Sequence, residues 1–323
     1  MSTSPALVSI GEPLIEFNRP REGDGRTWLQ GFGGDSQNVA IAAVRQGSSA
    51  GYITSLGQDW MGDAFLELWQ SEGLDASRVS RHPTAPTGVS FVTHGPAGHK
   101  FDYLRKNSAA SLMTPDTLPA DYIAGARYFH LSAIGQAISD SARKTCEAAV
   151  SIARAAGVKV SYDTNLRLRL WDLDVARATI DATVARCDVL LPSLDDSQQL
   201  TGLKEPDAIV DHYLKLGAPV VALKMSAEGC LIATPRERFR VPGHHVEAVD
   251  ATGAGDTFDG SFLARLLAGA DLEAAARYAN VAAALSTKGY GAVTPIPRAA
   301  EVQAELARAG SAALLPAGSG RTP

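Results

Sequence analysis

No uninterrupted apolar run in the 323-residue sequence approaches the roughly 18 residues that a membrane-crossing helix needs. Residues 1–5 carry no basic n-region, and only the apolar stretch 7–10 follows before Gly11, which predicts a soluble, unexported protein. Cysteine is scarce. Cys146, Cys187 and Cys230 are odd in number, widely spaced and free of any CxxC or histidine neighbourhood, which argues against zinc and against a disulfide framework. They read as buried, reduced thiols of a cytoplasmic protein. A basic excess is missing too: 30 Lys and Arg stand against 35 Asp and Glu, a formal charge of −5 with both signs dispersed. That balance disfavours a reader of nucleic-acid backbones. No GxxxxGK[ST] occurs, and Gly31-Phe32-Gly33-Gly34-Asp35-Ser36 has serine where GxGxxG needs its third glycine, so neither a P-loop nor a Rossmann fingerprint is spelled. No repeat of 20–50 residues is visible.

What is present is ordinary globular composition, 45% hydrophobic with 30 Gly and 17 Pro, at a length that suits one large α/β domain or two smaller ones. Short β-type runs at 7–10, 51–54, 128–131, 158–162, 189–191 and 220–223 alternate with alanine-rich amphipathic stretches. This order predicts a mostly parallel sheet covered by helices. Gly47, Gly157 and Gly217 each follow a helical stretch shortly before the next strand, as C′ residues do.

Two segments break the alternation, residues 12–35 and 85–109. In the second, 88–93 and 100–105 flank Gly95-Pro96-Ala97-Gly98 and read as a β-hairpin. Strands inserted into an α/β core predict either a small sheet standing over a cleft as a lid or a pair of surface excursions. The expected division is therefore a core of 1–11, 36–84 and 110–308, a lid of 12–35 and 85–109, and a flexible Gly/Ser/Ala/Pro-rich tail of 309–323.

The strongest chemical signal is the small-residue turn from Asp250 through Gly253-Ala254-Gly255-Asp256, which runs directly into a helical stripe of Phe258, Phe262, Leu263, Leu266 and Leu267. The helix is expected to begin near Gly255 or Asp256. Its first amides, lacking intrahelical partners and backed by the positive end of the dipole, suit a phosphoryl group. Asp256 reads locally as an N-cap or as an acid placed at that anion site. A helix N-terminus lowers a carboxyl pKa, so Asp256 is expected to be ionised at neutral pH and intrinsically a weak base.

Gly-Ala-Gly-Asp at a helix entry, together with the upstream Gly33-Gly34-Asp35-Ser36-Gln37-Asn38 segment and Ser55-Leu56-Gly57-Gln58-Asp59, resembles the ribokinase-like, phosphofructokinase B type sugar kinases. The resemblance runs from about residue 7 to about residue 297. It implies a three-layer α/β/α core with a mostly parallel sheet and a small β-sheet lid. It also implies ATP and Mg²⁺ as cofactors, Asp256 as catalytic base, and Gly253, Ala254 and Gly255 as the anion hole. Lid-to-lid pairing into a homo-oligomer is implied as well, which would cover exposed strand edges.

Within that family, Gly11-Glu12-Pro13-Leu14-Ile15-Glu16-Phe17, Tyr103-Leu104-Arg105, Asp163-Thr164-Asn165-Leu166-Arg167 and Leu191-Pro192-Ser193-Leu194-Asp195-Asp196 are similar to the kinases of 2-keto-3-deoxygluconate. A keto acid needs a positioned guanidinium, and Tyr103 and Arg105, two apart on a strand, share a face. The same pair also suits the wet side of an edge strand. Arg167 is expected beyond a strand's C-terminal end, either at the ligand or in a surface ion pair. Gly34 and Asn38 are the expected sugar-hydroxyl contacts; Asp35 joins them or caps the helix beginning at Ser36 or Gln37.

By resemblance the nucleotide falls to Ser193, Ser226, Gly229, Gly253, Gly255, Asn280 and Lys288, although Asn280 lies on an alanine-rich helix and the glycines also suit plain turns. Where the family has Asn-x-x-Glu, this chain has Ser193-Leu194-Asp195-Asp196. Asp196 keeps an acid that can organise Mg²⁺ through water. Asp250 and Thr252 occupy positions that in some relatives help bind a monovalent cation such as K⁺. The alternatives are the C4 epimer 2-keto-3-deoxygalactonate or a neutral hexose such as fructose as acceptor, and a catalytically idle sensor of sugar acids. No nucleic-acid or membrane partner is expected.

Overall fold

The computed structural model describes residues 4–22, 24–95 and 98–313. Its strands, in chain order, are β1 (Leu7–Ile10), β2 (Leu14–Asn18), β3 (Leu29–Gly33), β4 (Ala50–Ile53), β5 (Ser55–Gly57), β6 (Ser80–His82) and β7 (Gly88–Gly95). They continue with β8 (Gly98–Leu104), β9 (Tyr128–Ser132), β10 (Lys159–Asp163), β11 (Val189–Leu190), β12 (Val221–Lys224), β13 (Cys230–Ala233) and β14 (Arg238–Val241). Eight of them form one sheet in the order β14-β13-β12-β11-β10-β9-β1-β4. Pairing is parallel from β4 to β12 and antiparallel for β13 and β14.

Period-two alternation sorts each strand between two apolar layers. Val8, Ile10, Phe129, Leu131, Val160, Tyr162, Val221 and Leu223 face one cluster, shared with Cys146, Val150, Ile180 and Tyr213 of the helices Asp140–Ala155, Leu173–Val184 and Pro206–Leu216. Leu7, Tyr52, Tyr128, Val189, Leu191 and Ala222 face the other, with Val39, Phe258, Phe262 and Ala279 of the helices Asp35–Arg45, Ala254–Leu267 and Leu272–Ser286. The result is the expected three-layer α/β/α sandwich around a mostly parallel sheet. Helices Asp35–Arg45 and Ala254–Leu267 touch through their backbones: a Cβ at Gly260 would come within 2.3 Å of the Val39 carbonyl.

The four strands that left the alternation form a separate sheet in the order β3-β2-β7-β8, with β2 and β7 parallel and the outer pairs antiparallel. Pro96 and Ala97 of the anticipated hairpin loop lie outside the described residues. At the far end, the helix Ala299–Ala313 continues past residue 309, where the sequence suggested a tail. Residues 314–323 lie outside the described residues. Gly47, Gly157 and Gly217 adopt positive φ of 88°, 73° and 115° after their helices.

The chain leaves β1 toward β4 on one side and β9 on the other, so the sheet order reverses there. Ligands of open α/β sheets collect beyond the strand C-termini at such a switch point. Ser132, Asp163 and Lys224 end β9, β10 and β12, and Gly11 follows β1.

Candidate active site

Asp256 stands at this reversal. Its helix begins at Ala254, one to two residues before the expected start, with Gly253 as N-cap at φ +75° and no side-chain cap. Asp256 is therefore inside the first turn and does not cap it. Its Oδ2 instead accepts a 2.8 Å hydrogen bond from Asn38 Nδ2. The Gly253, Gly255 and Asp256 amides donate to no partner among the described residues, whereas that of Ala254 reaches the Ala251 carbonyl at 3.2 Å. Glycine is required at 253 because its left-handed φ strains other residues and an added Cβ would lie 3.0 Å from Ala292.

The electrostatics reverse one expectation. Asp256 is not lowered by the helix terminus but pushed up to about 7, by burial first and by the Asp35 and Asp163 charges, against the lowering effects of Asn38 and Lys224. Desolvation of a carboxylate outweighs half a unit of dipole charge. Asp35 is raised as well, mainly by burial. It is the first residue of its helix and makes no capping bond; its Oδ2 accepts from Ser132 Oγ and, at 3.2 Å, from Asn165 Nδ2. Gly34 precedes it at φ +110°, where an added Cβ would sit 2.4 Å from the Glu12 carbonyl.

Arg105 and Tyr103 meet, with the guanidinium 5.2 Å from the ring centroid. Arg105 is not a free cation, however. Its Nε donates to Glu12 Oε2 at 2.7 Å, its Nη2 donates to the same oxygen, and Ser108 Oγ donates to Glu12 Oε1. Both partners are buried, at 9% and 1% side-chain exposure. Arg167 Nη1 donates to the Leu166 carbonyl at 2.8 Å, and Arg167 makes no ion pair among the described residues. It acts on the titration of both Tyr103 and Asp196, which places all three in one neighbourhood.

Ser193 caps the helix Leu194–Thr201, its Oγ accepting from the Asp196 amide at 3.2 Å. Asp196 Oδ2 accepts from the Leu166 amide at 3.1 Å, and burial raises its pKa. No cluster of three or more His, Cys, Asp or Glu suited to a metal occurs among the described residues.

Ser226, at φ +51°, and Gly229 bracket the turn between β12 and β13; a Cβ at Gly229 would clash with the Val241 carbonyl at 2.1 Å. Asn280 spends both amide hydrogens' direction on carbonyls, those of Val241 and Pro242 at 3.1 and 3.0 Å. It thereby ties the loop after β14 to the helix Leu272–Ser286. Lys288 is exposed and lines an open cavity of about 580 Å³ with Pro295, Glu301, Glu305 and Arg308, away from Asp256's partners. Asp250 is buried, its Oδ1 accepting from Thr252 N and Oγ1 and its Oδ2 from Asn18 Nδ2 and the Gly291 amide, at 2.7–3.0 Å.

The fold brings here five residues to which the sequence assigns no role: Glu12, Glu16, Asp163, Lys224 and Asp259. Glu12 engages Arg105; Glu16 is buried beside Asp250 and pushed up to about 7, chiefly by burial. Lys224 Nζ donates to both Asp259 oxygens at 2.9 Å and lies 3.4 Å from Asp163. Burial alone would lower this ammonium, but Asp163 and Asp259 outweigh it and hold it above its ordinary value.

A doubly covered, mostly parallel sheet with a four-stranded side sheet and a helix starting at a Gly-Ala-Gly-Asp turn is the architecture of a ribokinase-like sugar kinase. The profile described as pfkB family carbohydrate kinase matches residues 4–299, and the chain belongs to that family. A curated relative named 2-dehydro-3-deoxygluconokinase, from Thermoproteus tenax, is 34% identical over 92% of this chain and 93% of its own. A probable fructokinase-5 from Arabidopsis thaliana is 33% identical over 94% and 98%. Among solved structures, a putative ribokinase II from E. coli in complex with ATP and Mg²⁺ superposes with a TM-score of 0.87 at 25% identity, over 94% of this chain and 99% of that one.

Proposed function

We propose that the chain transfers the γ-phosphoryl group of ATP to the terminal primary hydroxyl of 2-keto-3-deoxygluconate, forming 2-keto-3-deoxy-6-phosphogluconate. The observation that carries this reading is the Asp256 carboxylate, oriented by Asn38 beside three unpartnered amides. Asp256 accepts the hydroxyl's hydrogen bond and takes its proton as the new O–P bond forms and ADP leaves. The Gly253, Gly255 and Asp256 amides receive the charge on the transferring group. ATP supplies the phosphoryl group; Asp196 would hold Mg²⁺, which when bound would supply neutralising charge to the phosphate oxygens. In a loose transition state the hydroxyl becomes acidic late, so orientation by Asn38 counts for more than basicity.

Gly34, Asp35 and Asn38 would hold sugar hydroxyls, and Tyr103, Arg105 and Arg167 the acid end. Ser193, Ser226, Gly229, Asn280 and Lys288 would surround the nucleotide, and Asp250 with Thr252 a monovalent cation. The side sheet would close over the sugar and exclude water. Exposed Leu29 and Leu104 on its two edge strands favour a homo-oligomer formed through it, and three buried free thiols suit a reducing cytoplasm.

A neutral hexose is the second reading, favoured by Glu12, which already compensates the Arg105 charge. ATP-dependent ADP release against 2-keto-3-deoxygluconate, its galactonate epimer, fructose and ribose separates the two. Activity on the keto-deoxy acids, reduced by about 10²–10⁴ in Asp256→Asn, is the expected result. Turnover of fructose or ribose alone would overturn the sugar-acid assignment.

A further inference from the structure

Lys224, Asp163 and Asp259 bury three charges under the helix that carries Asp256, at side-chain exposures of 12%, 6% and 0%. Buried ion pairs rarely stabilise a fold better than apolar groups of equal volume, so the cluster calls for a reason beyond stability. Its position supplies one: a methyl group on Gly255 would lie 3.6 Å from Lys224 Nζ, so the ammonium stands against the first turn of the Asp256 helix. Two aspartates from separate elements clamp it there, Asp163 at the end of β10 and Asp259 one turn along the helix.

We infer that Lys224, clamped by Asp163 and Asp259 against the first turn of the Asp256 helix, is a positioning residue whose fixed charge favours the carboxylate of Asp256 for proton abstraction. The inference rests on the reading of Asp256 as the base. The groups that face Asp256 are Asp35 and Asn38 from helix Asp35–Arg45, Asp163 from β10, Lys224 from β12 and Asp259 from its own helix; Arg105 acts on Asp35 from the side sheet. Lys224 is the cation set against three neighbouring carboxylates. Without it, burial and like charge act on Asp256 with only the Asn38 hydrogen bond in opposition.

The test is the pH dependence of kcat/KM for 2-keto-3-deoxygluconate with saturating Mg-ATP, using the full chain as wild type, Lys224→Gln, Lys224→Arg and Asp259→Asn. An opposite charge at close range typically moves a carboxyl by about one to three units. The acid limb is expected to move up by about one unit in Lys224→Gln, to return in Lys224→Arg, and to move down in Asp259→Asn. Opposite movements in two variants of one ion pair are not produced by loss of structure. If Lys224→Gln does not fold, by circular dichroism, the downward movement in Asp259→Asn carries the test alone. A limb that stays in place in the folded variants, with only the plateau lowered, would overturn the inference. Wild-type turnover in Asp256→Asn would instead sink the base reading, and that result is read without any Lys224 variant.

Discussion

Replacing Glu12 by alanine leaves the Arg105 guanidinium buried, at 9% side-chain exposure, without its hydrogen-bonded counter-charge, with the Tyr103 ring beside it and the Asp35 charge acting from farther off. Breaking one side of such a pair costs about 3–5 kcal/mol. Arg105→Met in the same background removes the stranded charge, so the double variant is expected to recover a large part of that loss. The coupling, read by urea or thermal unfolding of the four proteins of the cycle, should exceed about 1 kcal/mol, well beyond the ~0.5 kcal/mol scatter of independent sites. The same variant reports on the substrate. If Arg105 receives a sugar carboxylate, the keto acid replaces the missing Glu12, and its stabilising shift grows in Glu12→Ala relative to wild type while that of fructose does not. Additive losses in the cycle would refute the pair as a stability element. An unchanged keto-acid shift would refute Arg105 as the acid's receptor.

Gly253→Ala places a side chain at φ +75° and 3.0 Å from Ala292; steady-state assays should show kcat reduced about 10–100-fold with the circular dichroism spectrum retained. Asn38→Ala removes the donor that lowers Asp256, so the acid limb of kcat/KM should move upward, and a limb left in place would argue against that bond. Glu16 titrates near about 7 in the folded chain against 4.5 otherwise, so the folded state holds a proton that the unfolded state has released. Stability then falls as pH rises from about 4.5 to about 7, by roughly 3 kcal/mol for this group, and Glu16→Gln should remove that slope in unfolding measured across the range.

Much of the fold was legible because burial on both faces makes parallel strands nearly continuous apolar runs. The runs at 7–10, 128–131 and 220–223 were placed within a residue or so of β1, β9 and β12. The antiparallel strands β13 and β14 are not legible in the alternation, because each has only four residues and no α-helix separates β12, β13 and β14. The paired β5 and β6 are three residues each, too short to show a period. In the site, Asp256 and Asn38 were found through motifs, and their 2.8 Å contact joins positions 218 apart. Asp163 and Lys224 carry no role in the sequence reading, although the rule that places Arg167 beyond a strand end applies to both. Asp259 follows Asp256 by three residues and so shares its helix face, a signal that was available. The direction of the Asp256 shift was not available, since it depends on carboxylates from other elements that only the packed fold brings near.

The backbone contact at Gly260 joins the helix bearing Asp35 and Asn38 to the helix bearing Asp256. These helices form a single block, while Tyr103 stands on the separate side sheet and Arg105 just beyond its last strand. On the proposed reading, the phosphoryl-transfer residues and the sugar-hydroxyl contacts share that block, while Tyr103 and Arg105, proposed for the acid end, lie on another piece of the chain. If Tyr103 and Arg105 hold the acid end, substitutions there would change the acceptor while leaving the Asn38–Asp256 contact in place. A 2-dehydro-3-deoxygluconokinase and a probable fructokinase-5, at 34% and 33% identity, are names that such a division of roles would accommodate.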